Sequence, residues 1–133
     1  MAGEASAEDT TIGIVLFDDA EELDFAGPYE VFAGLLQAEG RGRVVLIAEH
    51  ERPVRCAKGL RVLPDVAFDD APALDVLSGP RYVRDGNLVT SAGVSAGIDM
   101  ALWLVGQLRS PAVARRVQHA IEYDPAPPYT ADV

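Results

Sequence analysis

The sequence predicts an α/β sandwich of three layers with a mostly parallel sheet. Residues 12–17 form a continuous apolar run of β-branched and aromatic side chains bounded by Asp18 and Asp19, which is typical of a strand buried on both faces. A helical pattern follows, and residues 43–48 form a second run of the same kind. This strand-helix-strand order within 133 residues indicates one α/β domain, with residues 12–17 expected at the centre of its sheet.

The first helix is predicted to begin between Asp24 and Gly27, because Pro28 is tolerated only in a first turn. Gly40 and Gly42 are expected to end it. Its apolar face is predicted to consist of Tyr29, Val31, Phe32, Leu35 and Leu36.

The middle of the chain contains weaker signals. Residues 50–58 are polar and predicted to form a loop, and residues 60–63 a short strand before Pro64. Residues 74–77 begin a third core strand that halts at Ser78, Gly79 and Pro80, a cluster of residues that break regular structure.

Beyond that cluster the sequence predicts a hairpin and two helices. Residues 82–84 and 88–90 flank a turn, and residues 88–91 are expected to pair near the first strand. Ser95 or Ala96 opens a helix, and Ser110 followed by Pro111 starts the last one, which ends near Tyr123. The predicted buried faces are Ile98, Ala101, Leu102, Val105 and Leu108 on the former, and Val113, Val117 and Ile121 on the latter.

Charge and composition exclude several classes of partner. With 21 acidic and 11 basic residues the formal charge is −10, which repels nucleic acid and anionic membrane surfaces. No apolar run approaches the roughly 20 residues of a membrane span, and the first ten residues do not have the pattern of a secretory signal. A single cysteine fits a reducing compartment, so a cytoplasmic location is expected.

Three separated motifs carry a family resemblance. They are Leu-Asp-x-x-Gly-Pro-x-Glu-Val-Phe at residues 23–32, Arg-Asp-Gly-Asn-x-x-Thr-x-x-Gly-x-x-x-Gly-Ile-Asp at residues 84–99, and Glu-Tyr-Asp-Pro-x-Pro-Pro at residues 122–128. The chain therefore resembles the ThiJ/PfpI superfamily, of the class I glutamine amidotransferase-like fold, and most closely its isonitrile hydratase branch. The resemblance implies a flavodoxin-like sandwich.

The same resemblance implies an internal deletion. The family places a Pro-Gly-Gly loop and a strand-turn-helix elbow with a cysteine nucleophile between the first two motifs, and neither occurs here. We expect a join near residues 77–81 within a single abbreviated domain at residues 11–123. Residues 1–10 are predicted to form a disordered acidic tail, and residues 124–133 an extended proline-rich tail.

Asp24 occupies the acidic position of the family's first motif, where the resemblance implies a contact with the catalytic cysteine, water or substrate. The alternative is that its carboxylate caps the N-terminus of a helix. The neighbouring acidic residues lack the spacing of a calcium loop and are interpreted as a solvated loop (Asp18, Asp19, Glu21 and Glu22).

Cys56 is not at the position of the family nucleophile. Arg55 and Lys58 beside it are expected to lower its pKa, in a polar loop. We interpret Cys56 as an incidental loop residue, with an oxidisable or metal-reactive thiol as the alternative.

Residues 93–97 form a literal Gly-x-Ser-x-Gly motif, which is typical of a serine hydrolase elbow. Asp99 and His119 follow it, but Asp99 is only four residues further along the same helix. The alternative is that the glycines allow close packing and that Ser95 caps the helix. The amides of Gly93, Ser95 and Ala96 are candidate contacts for a ligand or small anion.

These residues leave three functional hypotheses. The chain is a non-catalytic domain that binds a small-molecule ligand or a protein, an isonitrile hydratase or amidase whose missing part is supplied elsewhere, or an abbreviated chain without activity. A hydrolase acting through Ser95 is a further alternative. We expect no metal, because no second histidine or cysteine accompanies His50 or His119 at ligand spacing. No cofactor is expected, and a homodimer is expected to cover the apolar surface left by the shortened sheet.

Overall fold

The computed structural model describes residues 9–73 and 95–125, together with the strands at residues 82–85 and 88–91. The strands are β1 (Thr11–Val15), β2 (Arg43–Ala48), β3 (Val54–Arg55), β4 (Arg61–Val62), β5 (Val66–Ala67), β6 (Tyr82–Asp85) and β7 (Leu88–Ser91). The helices are α1 (Glu22–Glu39), α2 (Ala96–Leu108) and α3 (Pro111–Ala120). The predicted join and most of both predicted tails lie outside the described residues.

The main sheet is parallel, as predicted, but its strand order differs from the prediction. β1 pairs with β2 in the register Thr11 with Arg43, and β2 pairs with β5 in the register Ile47 with Val66. Among the described strands β2 is therefore central and β1 lies at an end of the sheet, which differs from the central position predicted for residues 12–17. The third core strand predicted at residues 74–77 lies outside the described residues. β1 is accordingly only half-buried, and Val15 is 56% exposed.

β6 and β7 pair with each other in an antiparallel hairpin, as the turn signal predicts. The register sets Asp85 against Leu88, which leaves two residues for the turn, and those two lie outside the described part of the chain. The expected pairing of residues 88–91 near β1 is wrong, because β7 belongs to a separate sheet and lies against α2.

α1 ends where its glycines predict. Gly40 adopts φ 67° and its N–H donates to the carbonyl of Gln37, while the N–H of Arg41 donates to Leu36 at 3.3 Å, which is the pattern of a Schellman cap. Gly42, at φ 88°, brings the chain against β1, where the N–H of Arg43 donates to the carbonyl of Thr10 at 2.9 Å. The turn thus delivers β2 into register beside β1.

The start of α1 is earlier than predicted, so that Pro28 lies inside the helix rather than in its first turn. Pro28 cannot donate to the carbonyl of Asp24, one turn before it. A glycine on α2 makes room for the proline ring, since a Cβ atom at Gly97 would lie 3.1 Å from its Cγ. Packing against α2 therefore accommodates a proline that local rules place at the helix start.

The three helices enclose the larger apolar core (Val31, Phe32, Leu35, Ala101, Leu102, Val105 and Val117). Two residues predicted for buried faces are instead substantially exposed, Tyr29 at 39% and Leu108 at 44%. A bidentate ion pair joins α1 to the end of α2, with Nε and Nη2 of Arg109 at 2.6 and 2.9 Å from the carboxylate of Glu39. α3 starts as predicted, because Oγ of Ser110 accepts from the N–H of Val113 and Pro111 follows it.

Candidate functional site

The first turn of α1 and the start of α2 lie side by side, which brings together two of the motifs that the sequence offers separately. A Cβ atom added to Gly97 would lie 3.5 Å from the carbonyl oxygen of Asp24, and one added to Gly27 would lie 2.7 Å from Cγ1 of Ile98. The glycines of both motifs therefore allow close helix packing, as one of the interpretations of residues 93–97 requires.

Asp24 is exposed in the first turn of α1. The interpretation of Asp24 as the helix cap is wrong, because Glu21 occupies the N-cap position and no side chain caps the helix there. The pKa of Lys58 is raised, chiefly by its hydrogen bond to Glu21, and the negative charge of Asp24 adds to this shift. A carboxylate in the first turn of a helix interacts favourably with the helix dipole and so stabilises the helix.

Cys56 lies in the hairpin of β3 and β4, with its side chain only 1% exposed. Its N–H donates to the carbonyl of Leu60 at 2.8 Å, and its thiol packs in a second, smaller core with Leu16, Phe25, Ala48 and Val54. Cys56 does lie in a loop before a short strand, as predicted, but its side chain is buried in that loop. The side chain is covered because the hairpin packs on the small core that also contains Leu16, Phe25 and Ala48.

Burial raises the pKa of the Cys56 thiol, and the carboxylates of Glu22 and Asp18 raise it further. The expected lowering by Arg55 and Lys58 is wrong, because Arg55 is exposed and Lys58 directs its ammonium group to Glu21. Since the thiolate is the nucleophilic form, this environment opposes nucleophilic chemistry.

The acidic residues after β1 are not merely a solvated loop. Oδ2 of Asp18 lies 2.7 Å from Nη2 of Arg52, and Oδ1 of Asp18 accepts from the N–H of Arg55 at 3.1 Å. Oε1 of Glu22 accepts from the N–H of Lys58 at 2.8 Å. Across the described ranges, no group of three or more metal-ligating side chains is arranged to hold an ion.

The three residues of the hypothetical serine triad, Ser95, Asp99 and His119, make no hydrogen bond to one another among the described residues. Ser95 is exposed and occupies the N-cap position of α2, as predicted, but its backbone is already helical and its side chain makes no cap hydrogen bond. Oδ1 of Asp99 accepts from the hydroxyl of Tyr123 at 3.0 Å. His119 is exposed on α3, beside Arg115 and Arg116.

Of the candidate anion contacts, Gly93 lies outside the described residues and Ala96 is buried as the first residue of α2. The sequence interpretation missed Glu22 and Lys58, which connect α1 to the β3–β4 hairpin. The sequence offered one local signal for this contact, which is that acidic residues near Glu22 and basic residues near Lys58 lie in two segments 36 residues apart. Opposite charges alone do not specify which side chains pair.

The parallel sheet, the crossover helix α1 and the helices packed on it define an α/β sandwich of the flavodoxin-like type. The DJ-1/PfpI family model matches residues 10–77, which is half of the chain. This chain therefore belongs to the DJ-1/PfpI family, as the sequence motifs predict. None of the helices in the described ranges is both long and apolar enough to cross a bilayer.

One relative by sequence and two solved structures with a similar fold can be compared with this chain. An isonitrile hydratase of Pseudomonas putida is 28% identical over an alignment of 187 positions, covering 89% of this chain and 80% of that protein. A ThiJ/PfpI family protein from Pseudomonas syringae superimposes with a TM-score of 0.77 at 22% identity, covering 94% of this chain and 79% of that one. An AraC family transcriptional regulator from Pseudomonas putida superimposes at 0.68 with 12% identity, covering 84% of this chain and 99% of that one.

Proposed function

We propose that this chain is a non-catalytic member of the DJ-1/PfpI family that acts by binding, chiefly through contact with another protein chain. The observation that carries the proposal is the position of the single thiol, which is buried in a hairpin with a raised pKa. Covalent catalysis by this family's cysteine needs an accessible thiolate on a turn from a strand into a helix. Cys56 has neither property.

Two comparisons support an internal deletion of the segment that carries the family nucleophile. The family model stops matching at Leu77, where the sequence predicts the join. The alignment with the isonitrile hydratase spans 187 positions, more than the 133 residues of this chain, so it passes over positions of the relative that have no counterpart here. Under this proposal Asp24 is a remnant of the family site rather than a working acid.

Isonitrile hydration is the second candidate function, and the 28% identity to an isonitrile hydratase favours it. In that case Asp24 would supply the acid near the reacting carbon, and the nucleophile would have to come from outside the described residues.

The activity prediction separates these candidates. We expect purified protein to hydrate an alkyl isonitrile, or to hydrolyse an activated ester, at no more than the background rate. Cys56→Ala, Ser95→Ala and Asp24→Asn are expected to behave identically to the parent. The measurement is product formation by chromatography, with a known isonitrile hydratase as the positive control. Turnover that Asp24→Asn abolishes would establish the hydratase, and turnover that Ser95→Ala abolishes would establish a serine hydrolase.

Exposed apolar side chains support binding through self-association. Phe17 and Val15 are 62% and 56% exposed at the carboxyl end of β1, a strand paired along one side only in the part of the sheet that the structure describes. Exposed apolar side chains at the end of a strand favour contact with another chain. We propose that a second copy of this chain contacts this edge.

We therefore expect light scattering at micromolar concentration to give twice the chain mass of 14.2 kDa. Phe17→Lys is expected to shift the protein to monomer, because a charged side chain at the contact costs desolvation energy. Leu108→Lys is the matched control, since Leu108 is 44% exposed at the end of α2. A parent protein that remains monomeric, or a dimer that both variants retain, would contradict this interface.

A further inference from the structure

The hairpin of β3 and β4 covers the carboxyl ends of the two paired strands β1 and β2. Its buried residues Val54 and Cys56 pack on Leu16, which follows β1, and on Ala48, the last residue of β2. In open α/β sheets this edge is where ligands enter. The hairpin therefore occupies the position of a lid.

The hairpin is a small structural unit that contacts the rest of the domain through one apolar cluster and a set of polar contacts. Its strands have only two residues each and form a sheet of their own. The small core beneath it is distinct from the core that the three helices share. Such units open locally at a lower free energy than the whole domain.

The polar contacts come from the loop after β1 and from the first residue of α1. We use the name carboxylate latch for Asp18, Glu21 and Glu22, whose side chains bind Arg52, Lys58 and backbone N–H groups of the hairpin. Two backbone bonds accompany them, from the N–H of Asp19 to the carbonyl of Arg55 at 2.8 Å and from the N–H of Ala57 to the carbonyl of Ala20 at 2.9 Å. The latch thus contacts the hairpin on both sides of Cys56.

The closed arrangement contains one unfavourable feature. Oε2 of Glu22 is buried and has no hydrogen-bond partner within the described residues. A carboxylate oxygen that loses water without gaining a donor destabilises the state that buries it. Opening of the hairpin returns this oxygen to solvent, which offsets part of the cost of breaking the other contacts.

We propose that the β3–β4 hairpin is a lid, held shut by the carboxylate latch, that opens as a unit while the helical core stays folded and thereby exposes Cys56. This device does not depend on the function proposed above. The hairpin would open and close over the carboxyl ends of β1 and β2 whether these strand ends bind a ligand, a partner or nothing.

The latch has a predictable response to acid. The pKa of Asp18 is lowered, chiefly by its hydrogen bond from Arg52. For Glu22, desolvation is the largest single influence and acts to raise the pKa, but hydrogen bonds from its own N–H and from those of Lys58 and Leu60 together lower it. A carboxyl group whose pKa is lower in the closed form than its ordinary value stabilises the closed form. This stabilisation is fully present above the ordinary pKa values, 3.8 for Asp18 and 4.5 for Glu22, and it is lost as the pH falls through the lowered pKa values of the closed form. The other charged or titratable groups that face the latch are Arg52, Arg55, Lys58, Glu49, Asp24 and Cys56.

The test is the rate at which 4,4′-dithiodipyridine labels Cys56 at pH 7. In the double variant Asp18→Asn with Glu22→Gln we expect labelling roughly threefold to tenfold faster than in the parent, as two exposed charge contacts are weakened. Glu30→Gln is the matched control, because Glu30 is an exposed glutamate on the same helix, and it should label at the parent rate. In low urea the rate should be nearly constant, since local opening exposes little surface.

Hydrogen exchange of the same proteins distinguishes a lid from general destabilisation. Peptides covering residues 52–62 should exchange faster in the double variant, while those covering α1, α2 and α3 keep the parent rates. If the double variant does not fold, Lys58→Met removes the cation instead and carries the same expectation. Labelling that is unchanged in the variant, that rises steeply with urea, or that accelerates together with exchange in all helices would overturn the proposal.

Discussion

Replacement of Leu35 by alanine is expected to lower the free energy of unfolding by about 2–5 kcal/mol, the range found when a buried leucine is truncated. Leu35 is 2% exposed and lies in the core that α1 shares with α2 and α3. The cost is high because all three helices meet there, so the cavity cannot close by moving one side chain. Urea unfolding followed by circular dichroism measures it.

Leu108→Ala is the matched control for this truncation. The sequence predicts Leu108 on the buried face of its helix, but it is 44% exposed at the last residue of α2. We expect its truncation to cost less than about 1 kcal/mol, because the side chain already contacts water. Equal losses for the two variants would mean that Leu108 is covered in solution, for example by a second chain, and would contradict its 44% exposure in the structure.

Replacement of Gly42 by alanine is the second change with a large expected effect. Gly42 adopts φ 88°, where a side chain is strained, and a Cβ atom would lie 2.6 Å from the carbonyl oxygen of Thr10. That oxygen already accepts the hydrogen bond that pairs β2 with β1, so it cannot move freely. Strain and contact together are expected to cost about 2–4 kcal/mol, again measured by urea unfolding.

Two other glycines separate the two causes. Gly40 has φ 67° but open space around a Cβ atom, so Gly40→Ala should cost only about 1–2 kcal/mol for the backbone conformation. Gly34 is inside α1 with open space, so Gly34→Ala should stabilise the protein by about 0.5–1 kcal/mol. A Gly42→Ala variant no less stable than Gly40→Ala would show that the chain relaxes around the new methyl group.

Features that rest on neighbouring residues were predictable from the sequence. The glycines at 40 and 42 predict the end of α1, and Ser110 with Pro111 predicts the start of α3, because caps are formed by backbone groups within a few residues of each other. Apolar runs predict β1 and β2 for the same reason, and the turn signal predicts the pairing of β6 with β7. The motifs predict the DJ-1/PfpI family.

The strand order and the environment of each candidate site residue were not predictable in this way. β2 rather than β1 is central among the described strands, and Pro28 is accommodated inside α1 by the missing side chain of Gly97. Both depend on elements that are distant in the sequence, and the hydrophobic pattern of one segment contains no information about which partner it will contact.

Cys56 shows the division most clearly. By itself the sequence determined that the chain has one thiol, placed between basic residues and away from any strand-to-helix turn of a family elbow. Only the tertiary structure decided that this thiol is buried and that carboxylates, not cations, control its pKa. The physical reason is that charge interactions depend on distance in space, and docking of the hairpin places the carboxylates of Asp18 and Glu22 against the backbone N–H groups of Arg55 and Lys58, on either side of Cys56.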